Sequence, residues 1–462
     1  MLSEFGYADL GDKRRSARLI ELAGELAQCP EGSLPRALAG AAALKAAYRF
    51  FDNADISHEH ILAPHVASTL NRARGYKCVL AVQDTSFIDY ASHPHTTGLG
   101  PTGAKGGWGM ICHATLAFST QRLPLGVLGL RLWAREPGPS KRASRRKRTV
   151  DKKESGKWID GLHAAAQLAG PDTRVVSVAD RESDVYEFFT EAHRLGIDLL
   201  TRAAWDRNVD GEHGHLFDTL AVAPVVASRK VRLPARKEQP ARVAQLKVHA
   251  CPVTLHSPLN GPARGWPSLK LWGVWAHEPN PPHGVQALDW KLLTTVPVVN
   301  AKDALERLDW YVTRWGIELW HRVLKSGCKV EQRQLASFER LTRLFAIYAV
   351  IAWRIFNCTV LARLLPDVSC TAILTDDEWQ ALYCRIHLMP TPPPTPPPLR
   401  QAVRWIAKLG GFIGRKSDGE PGSQTLWRGF HDLIACTEMY RIMKNNPTPT
   451  QSLRTAQRQK CG

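Results

Sequence analysis

Apolar residues fall at helical spacing through the first 75 positions. Leu19, Leu22 and Leu26 recur every three or four residues behind Gly11-Asp-Lys-Arg-Arg, with Asp12 where an N-cap belongs. An alanine-rich stretch from Pro35 to Phe51 predicts a second helix, and Asp55-Ile-Ser57 opens a third that reaches Arg74. At Lys77 the pattern shortens. Lys77-Cys-Val-Leu-Ala-Val-Gln-Asp84 is an apolar run that ends in an acid, which reads as a buried strand delivering a carboxylate at its C-terminal edge. Runs at 109–118 and 125–134 predict two further strands joined by the turn Thr120-Gln-Arg. A helix follows from Lys153 to Leu168. Thr173-Arg-Val-Val-Ser-Val-Ala-Asp180 then repeats the device of strand and acid, followed by a helix to Leu195 and a strand at Asp198–Arg202. That order gives a mixed sheet with helices packed on it, an α/β core.

Between 205 and 300 proline and glycine rise, and segments such as Arg242-Val-Ala-Gln-Leu-Lys-Val alternate apolar with polar residues. This predicts an inserted antiparallel β subdomain that ends at Trp290-Lys-Leu-Leu-Thr-Thr. Residues 334–364 predict a long apolar helix (Leu341, Leu344, Ile347, Val350, Ile351, Ile355) packed on the sheet. Pro390–Pro398 reads as a stiff extended linker, and the segments around Val403 and Leu426 as a small helical tail. The expected plan is a helical domain at 1–75, a core at 76–365, a linker at 366–399 and a helical domain at 400–462, with the last dozen residues disordered.

Chemistry enters most sharply near residue 311. On a wheel of about 100° per residue, Tyr311, Arg314, Glu318 and Lys325 fall within a sector about 60° wide. A carboxylate amid cations suits a metal-dependent phosphate site, the acid holding a metal and the cations holding phosphates. The bland alternative is a surface helix with ion pairs such as Arg314 with Glu318. Trp290 reads equally as a core tryptophan of the sheet.

Charge favours the first alternative. The 462 residues carry 61 Lys and Arg against 43 acids, a net charge of +18, which suits a polyanionic partner. Arg14, Arg15, Arg18 and Arg49 on the first helices suit a DNA-binding head or a solvated helical cap. The basic run Lys141–Arg148 reads as either a phosphate binder or a loose loop. The ten cysteines form no CxxC, so no zinc knuckle or redox pair is signalled, and a reduced, cytoplasmic setting is expected. The N-terminus lacks the pattern of a signal peptide, and no apolar run of membrane-spanning length is read.

Two strand-end acids and one helix acid then converge. Ligands of an open sheet gather at the carboxyl ends of its strands. Asp84, Asp180 and Glu318 brought together there would repel one another and call for divalent cations. Two Mg²⁺ about 3.5–4 Å apart could bind the attacking and leaving oxygens of a phosphodiester displacement.

The motifs Leu10-Gly-Asp-Lys-Arg-Arg-Ser-Ala-Arg-Leu, Ala47-Tyr-Arg-Phe, Gln83-Asp-Thr-Ser, Lys153-Glu-Ser-Gly-Lys-Trp and Asp180-Arg-Glu-Ser-Asp stand in this order. The Tyr-Arg-Glu-Lys helix, Leu409-Gly-Gly-Phe and Leu426-Trp-Arg-Gly-Phe follow. Together they resemble the cut-and-paste DDE transposases of the insertion-sequence-four family, of transposon-five type, over nearly the whole chain. The resemblance implies an RNase H-like (retroviral-integrase-like) core in which Asp84, Asp180 and Glu318 bind Mg²⁺, with Mn²⁺ as a substitute. It implies DNA contacts by Tyr311, Arg314, Lys325 and Arg202, and a base flipped onto Trp290 while the cut end forms a hairpin. Arg14, Arg15, Arg18 and Arg49 match the head that recognises transposon ends. The partners implied are double-stranded DNA, both transposon ends and target, and a second copy of the chain joined through the C-terminal domain. Two other readings keep part of this pattern: a metal-dependent nuclease without strand transfer, and an inactive copy that only binds ends. The Pro-rich segment and the basic run have no counterpart in the family pattern.

Overall fold

The computed structural model describes residues 2–103, 106–137, 154–233, 240–415 and 418–445. The basic run at 141–148 and the last dozen residues lie outside them. The chain forms two compact units that do not follow the expected serial plan. The first gathers Met1–Ile61, Trp320–Gln334 and Arg343–Gly462; the second holds Leu62–Leu319 and Leu335–Thr342. The N-terminal helices and the C-terminal tail therefore share one unit.

The second unit is built on a ten-stranded mixed sheet. Its strands are β1 (Cys78–Asp89), β2 (Gly100–Pro101), β3 (Trp108–Ser119), β4 (Pro124–Trp133), β5 (Arg174–Ala179), β6 (Asp198–Arg202), β7 (Val225–Leu233), β8 (Arg242–Leu255), β9 (Leu269–His277) and β10 (Asp289–Thr294). The central order is β3-β1-β5-β6, with β4 on the outer edge of β3. β3 pairs antiparallel with both β1 and β4, while β1, β5 and β6 are parallel. β1 and β3 read as near-continuous apolar runs because both sheet faces are covered. On one face, Trp158 and Leu162 of the helix Gly156–Ala166 share a core with Tyr186, Phe188 and Phe189 of the helix Tyr186–Leu195 and with Val79, Ala81 and Leu199 of the strands.

Two expectations change here. β1 does not end at Asp84. Its parallel ladder with β5 stops at Val82↔Val178, but Thr85–Asp89 go on pairing with His113–Gly109 of β3. The inserted strands also form no separate subdomain. β10 pairs with β6 (Leu292↔Arg202, Leu293↔Thr201), and β9, β8 and β7 continue outward from β10 in the same sheet.

In the first unit, Asp12 accepts a hydrogen bond from Arg14 N at 2.7 Å and caps the helix Lys13–Gln28, which buries Leu19, Leu22 and Leu26. The expected alanine-rich helix is two: Leu34–Ala37, then Ala41–Asp52 after an extended Leu38 and Gly40 at φ +91. Arg343 donates to the carbonyls of Phe51 and Ile56, and Arg333 to those of Pro30, Gly32 and Cys328. The helix Phe338–Leu364 enters this unit at Arg343 and so belongs chiefly to its core instead of to the sheet unit. By length and composition it could cross a membrane, which the sequence reading overlooked, but its most apolar window is 78% buried within the protein.

The C-terminal helices Leu399–Leu409 and Ser423–Asn445 cross backbone against backbone. A Cβ on Gly429 would lie 1.7 Å from Ile406 O, and one on Gly410 1.9 Å from Thr425 O. The proline run is no free linker at its end: Cys370 N donates to Pro397 O at 3.0 Å and Leu399 N to Val368 O at 2.7 Å. The nine described cysteines are all free.

Candidate active site

Asp84 stands on the sheet face opposite Gln83, two residues past the end of the β1–β5 ladder. Asp180 follows the last residue of β5. Its Oδ1 accepts from Glu182 N at 2.8 Å, capping the short turn Arg181–Ser183. Its carbonyl accepts from Ser183 Oγ at 2.7 Å and Thr201 Oγ1 at 3.1 Å, which pins its backbone. Both acids thus lie just past the end of the parallel β1–β5 ladder, Asp84 within β1 and Asp180 after β5.

Glu318 comes from the next layer of chain. The helix Ala301–Thr313, capped by Asn300, breaks at Arg314, and a second helix, Trp315–Arg322, carries Glu318. Arg314 is the hinge between them and also the electrostatic centre. Its Nη2 donates to Glu318 Oε1, and its Nη1 lies 3.9 Å from Asp84 Oδ1. The Arg314 side chain is 13% exposed, and its Nε is buried without a hydrogen-bond partner. Burial opposes the guanidinium's charge, but Asp84, Tyr311 and Glu318 more than offset it and raise its proton affinity.

The acids respond to burial and crowding. Burial pushes the Asp84 carboxyl up to about 7, Asp180 and Glu318 add to the rise, and Arg314 opposes it. Burial also raises Asp180, with Glu182 adding and Arg314 and Lys157 opposing. Asp180 and Glu318 therefore both lie in the field of Asp84. Yet among the described residues no three His, Cys, Asp or Glu side chains are gathered closely enough to hold one ion. A guanidinium is paired with two of the three carboxylates instead.

Aromatic side chains flank this centre. Trp290 on β10 is 9% exposed, with its ring 6.0 Å from Tyr311 and 5.8 Å from Trp315, the latter edge to face. Trp315, which the sequence reading did not single out, is 42% exposed and is the accessible ring of the three. Arg202 ends β6 and donates to Asp289 O at 2.9 Å. Lys157 is a second residue that was not anticipated. It is nearly buried, lies over the Trp158 ring and reaches Glu182 at 3.1 Å, close to Asp180. Its only signal in the sequence is the Gly-Lys-Trp that opens the helix after the basic run.

Lys325 does not keep the place given to it by a uniform wheel. Residues Val323–Gly327 wind as a π-turn in the first unit, where Lys325 Nζ lies 3.3 Å from Glu331. The four head arginines are also in that unit. Arg14 is 96% exposed, Arg15 pairs with Asp55 at 2.7 Å, Arg18 with Glu21 at 2.8 Å, and Arg49 is exposed. Surface pairs of this kind contribute about 0–1 kcal/mol.

Two family models match the chain. One, described as Transposase DNA-binding, covers residues 1–56 and so includes all four head arginines. The other, described as Transposase Tn5 dimerisation domain, covers residues 350–447, including the crossed C-terminal helices.

Proposed function

We propose, from the premise that the chain is a transposon-five-like transposase, that Asp84, Asp180 and Glu318 form the centre that cuts and rejoins DNA at transposon ends. The pairing of one buried guanidinium with Glu318 and Asp84 carries this reading. Three antiparallel strands followed by two parallel ones, ordered β4-β3-β1-β5-β6, support an RNase H-like core. Hard carboxylate oxygens at the ends of parallel strands fit Mg²⁺ or Mn²⁺, two per site in this reading. Burial, with Asp180 and Glu318 nearby, raises the proton affinity of Asp84, a cost that a bound cation would relieve. Bound Mg²⁺ would supply Lewis-acid polarisation of the phosphate and a more acidic water.

The rest falls to the chain itself. A DNA phosphate that engages Arg314 draws the guanidinium off Glu318 and Asp84. Both carboxylates are then released from the guanidinium and can face cations. Tyr311 and Arg202 hold neighbouring phosphates, and Lys325 contacts DNA from the first unit. Trp290 stacks an extruded base, which stabilises it by about 1–3 kcal/mol. Water first nicks one strand, and the freed 3′-hydroxyl attacks the opposite strand to close a hairpin. A second water reopens it, and the 3′-hydroxyls then attack target DNA. The head arginines select the end, and two copies pair through the C-terminal domain. Work on DNA places the protein inside the cell.

Purified protein, DNA ends carrying the neighbouring inverted repeats, and Mg²⁺ or Mn²⁺ test this beside Glu318→Ala. Hairpin-ended and excised products from the wild type alone are expected. Nicks without hairpins would mean a nuclease, binding without cleavage an inactive end-binding copy, and cleavage by both proteins a misassigned triad.

A further inference from the structure

Beneath Asp84, on the other face of the sheet, four polar side chains cross an otherwise apolar core. Gln83 Nε2 donates to Ser177 Oγ at 2.9 Å. His113 Nε2 lies 3.1 Å from Gln83 Oε1, and His113 Nδ1 lies 3.0 Å from Thr85 Oγ1. Gln83 and Ser177 are 0% exposed and His113 is 2% exposed. The Trp158 ring stands edge-on to His113 at 4.6 Å. Gly161 presses so closely that a Cβ there would lie 2.0 Å from Gln83 Oε1. The chain of bonds has one direction. Gln83 gives its N–H to Ser177, so its oxygen accepts from His113 Nε2–H, and His113 Nδ1 accepts from the Thr85 hydroxyl.

Such a chain adds little to stability over apolar residues of the same shape, because folding only exchanges water hydrogen bonds for internal ones. Its place is informative. The backbone ladder between β1 and β5 ends at Val82↔Val178, and each acid comes two residues later. Gln83–Ser177 ties β1 to β5 where that ladder stops, and His113 ties β1 to β3. Ser183 and Thr201 clamp the Asp180 carbonyl from the other side.

We propose that Gln83, His113 and Ser177 are positioning residues that set the separation of Asp84 from Asp180. The proposal rests on the reading of those acids as an ion-holding pair, since a metal site tolerates displacements of only about 0.5 Å. Ser177→Ala, Ser177→Cys and Gln83→Met are compared with the wild type and with Asp84→Asn. The readouts are metal-free thermal unfolding, binding to end DNA, and Mn²⁺ binding to the DNA complex by electron paramagnetic resonance. Ser177→Ala and Gln83→Met are expected to unfold within a few degrees of the wild type and bind DNA equally, but to bind Mn²⁺ about 10–100-fold more weakly, as when other groups that orient metal ligands are lost. Ser177→Cys, isosteric with a weaker acceptor, falls between. Wild-type Mn²⁺ affinity in folded Ser177→Ala and Gln83→Met overturns the positioning role. If Asp84→Asn binds Mn²⁺ as the wild type does, the reading of the acids fails instead.

Discussion

Replacing Asp84 by asparagine should stabilise the metal-free protein, and by an amount that depends on pH. The Asp84 side chain is 16% exposed, and burial raises its carboxyl from 3.8 to about 7. Between those values the folded chain holds one more proton than the unfolded chain, so stability falls as pH rises and stays low above pH 7. About 1.4 kcal/mol per pH unit over about three units bounds the effect near 4 kcal/mol. Water entering the unlatched site relieves part of it, so about 2–4 kcal/mol is expected at pH 8. Asparagine keeps the shape and cannot ionise. Thermal unfolding with a chelator, from pH 4.5 to 8.5, should show the variant gaining several degrees over the wild type as pH rises, with the gain levelling above pH 7. Saturating Mn²⁺ should raise the wild type and leave the variant where it was. A gain independent of pH, or a loss at pH 8, would mean that Arg314 already neutralises Asp84 and that burial is not the dominant influence.

Trp290→Ala should slow hairpin closure far more than the first nick; equal loss in both steps would remove the stacking role. Because its ring also packs on Tyr311 and Trp315, the same change should lower stability by about 3 kcal/mol, read by chemical denaturation. Arg314→Ala should weaken end binding and lower the salt slope by about one charge, whereas an unchanged slope would place the side chain away from phosphate. Gly161→Ala should lower the unfolding temperature by driving a methyl into the Gln83 amide, and an unchanged temperature would show that this amide can yield.

Asp84 and Asp180 stood out as candidates because each follows a short apolar run, and Asp180 also caps the next turn, a local signal. The length of β1 was not legible, since Thr85–Asp89 stay extended through pairing with His113–Gly109 of β3, which come later in the chain. The same holds for the merging of the inserted strands with the main sheet, which depends on β6 meeting β10. The wheel failed at Lys325 because it assumes uniform winding, and the π-turn at Val323–Gly327 buries Val323 and Leu324 at a different phase. The Gln83–His113 chain left one trace, polar residues set into otherwise apolar strands. Arg314 was placed on the right face, but its pairing with Asp84 as well as Glu318 needs the fold.

The pairing of β10 with β6 also bears on how the chain is made. β6 is complete at Arg202, yet its partner edge is not synthesised until Asp289–Thr294. During that interval a nascent chain carries Leu199 and Leu200 beside an open row of backbone donors and acceptors, the kind of edge that recruits another chain. Premature termination anywhere within the insertion should yield aggregates and no soluble fragment of the sheet unit.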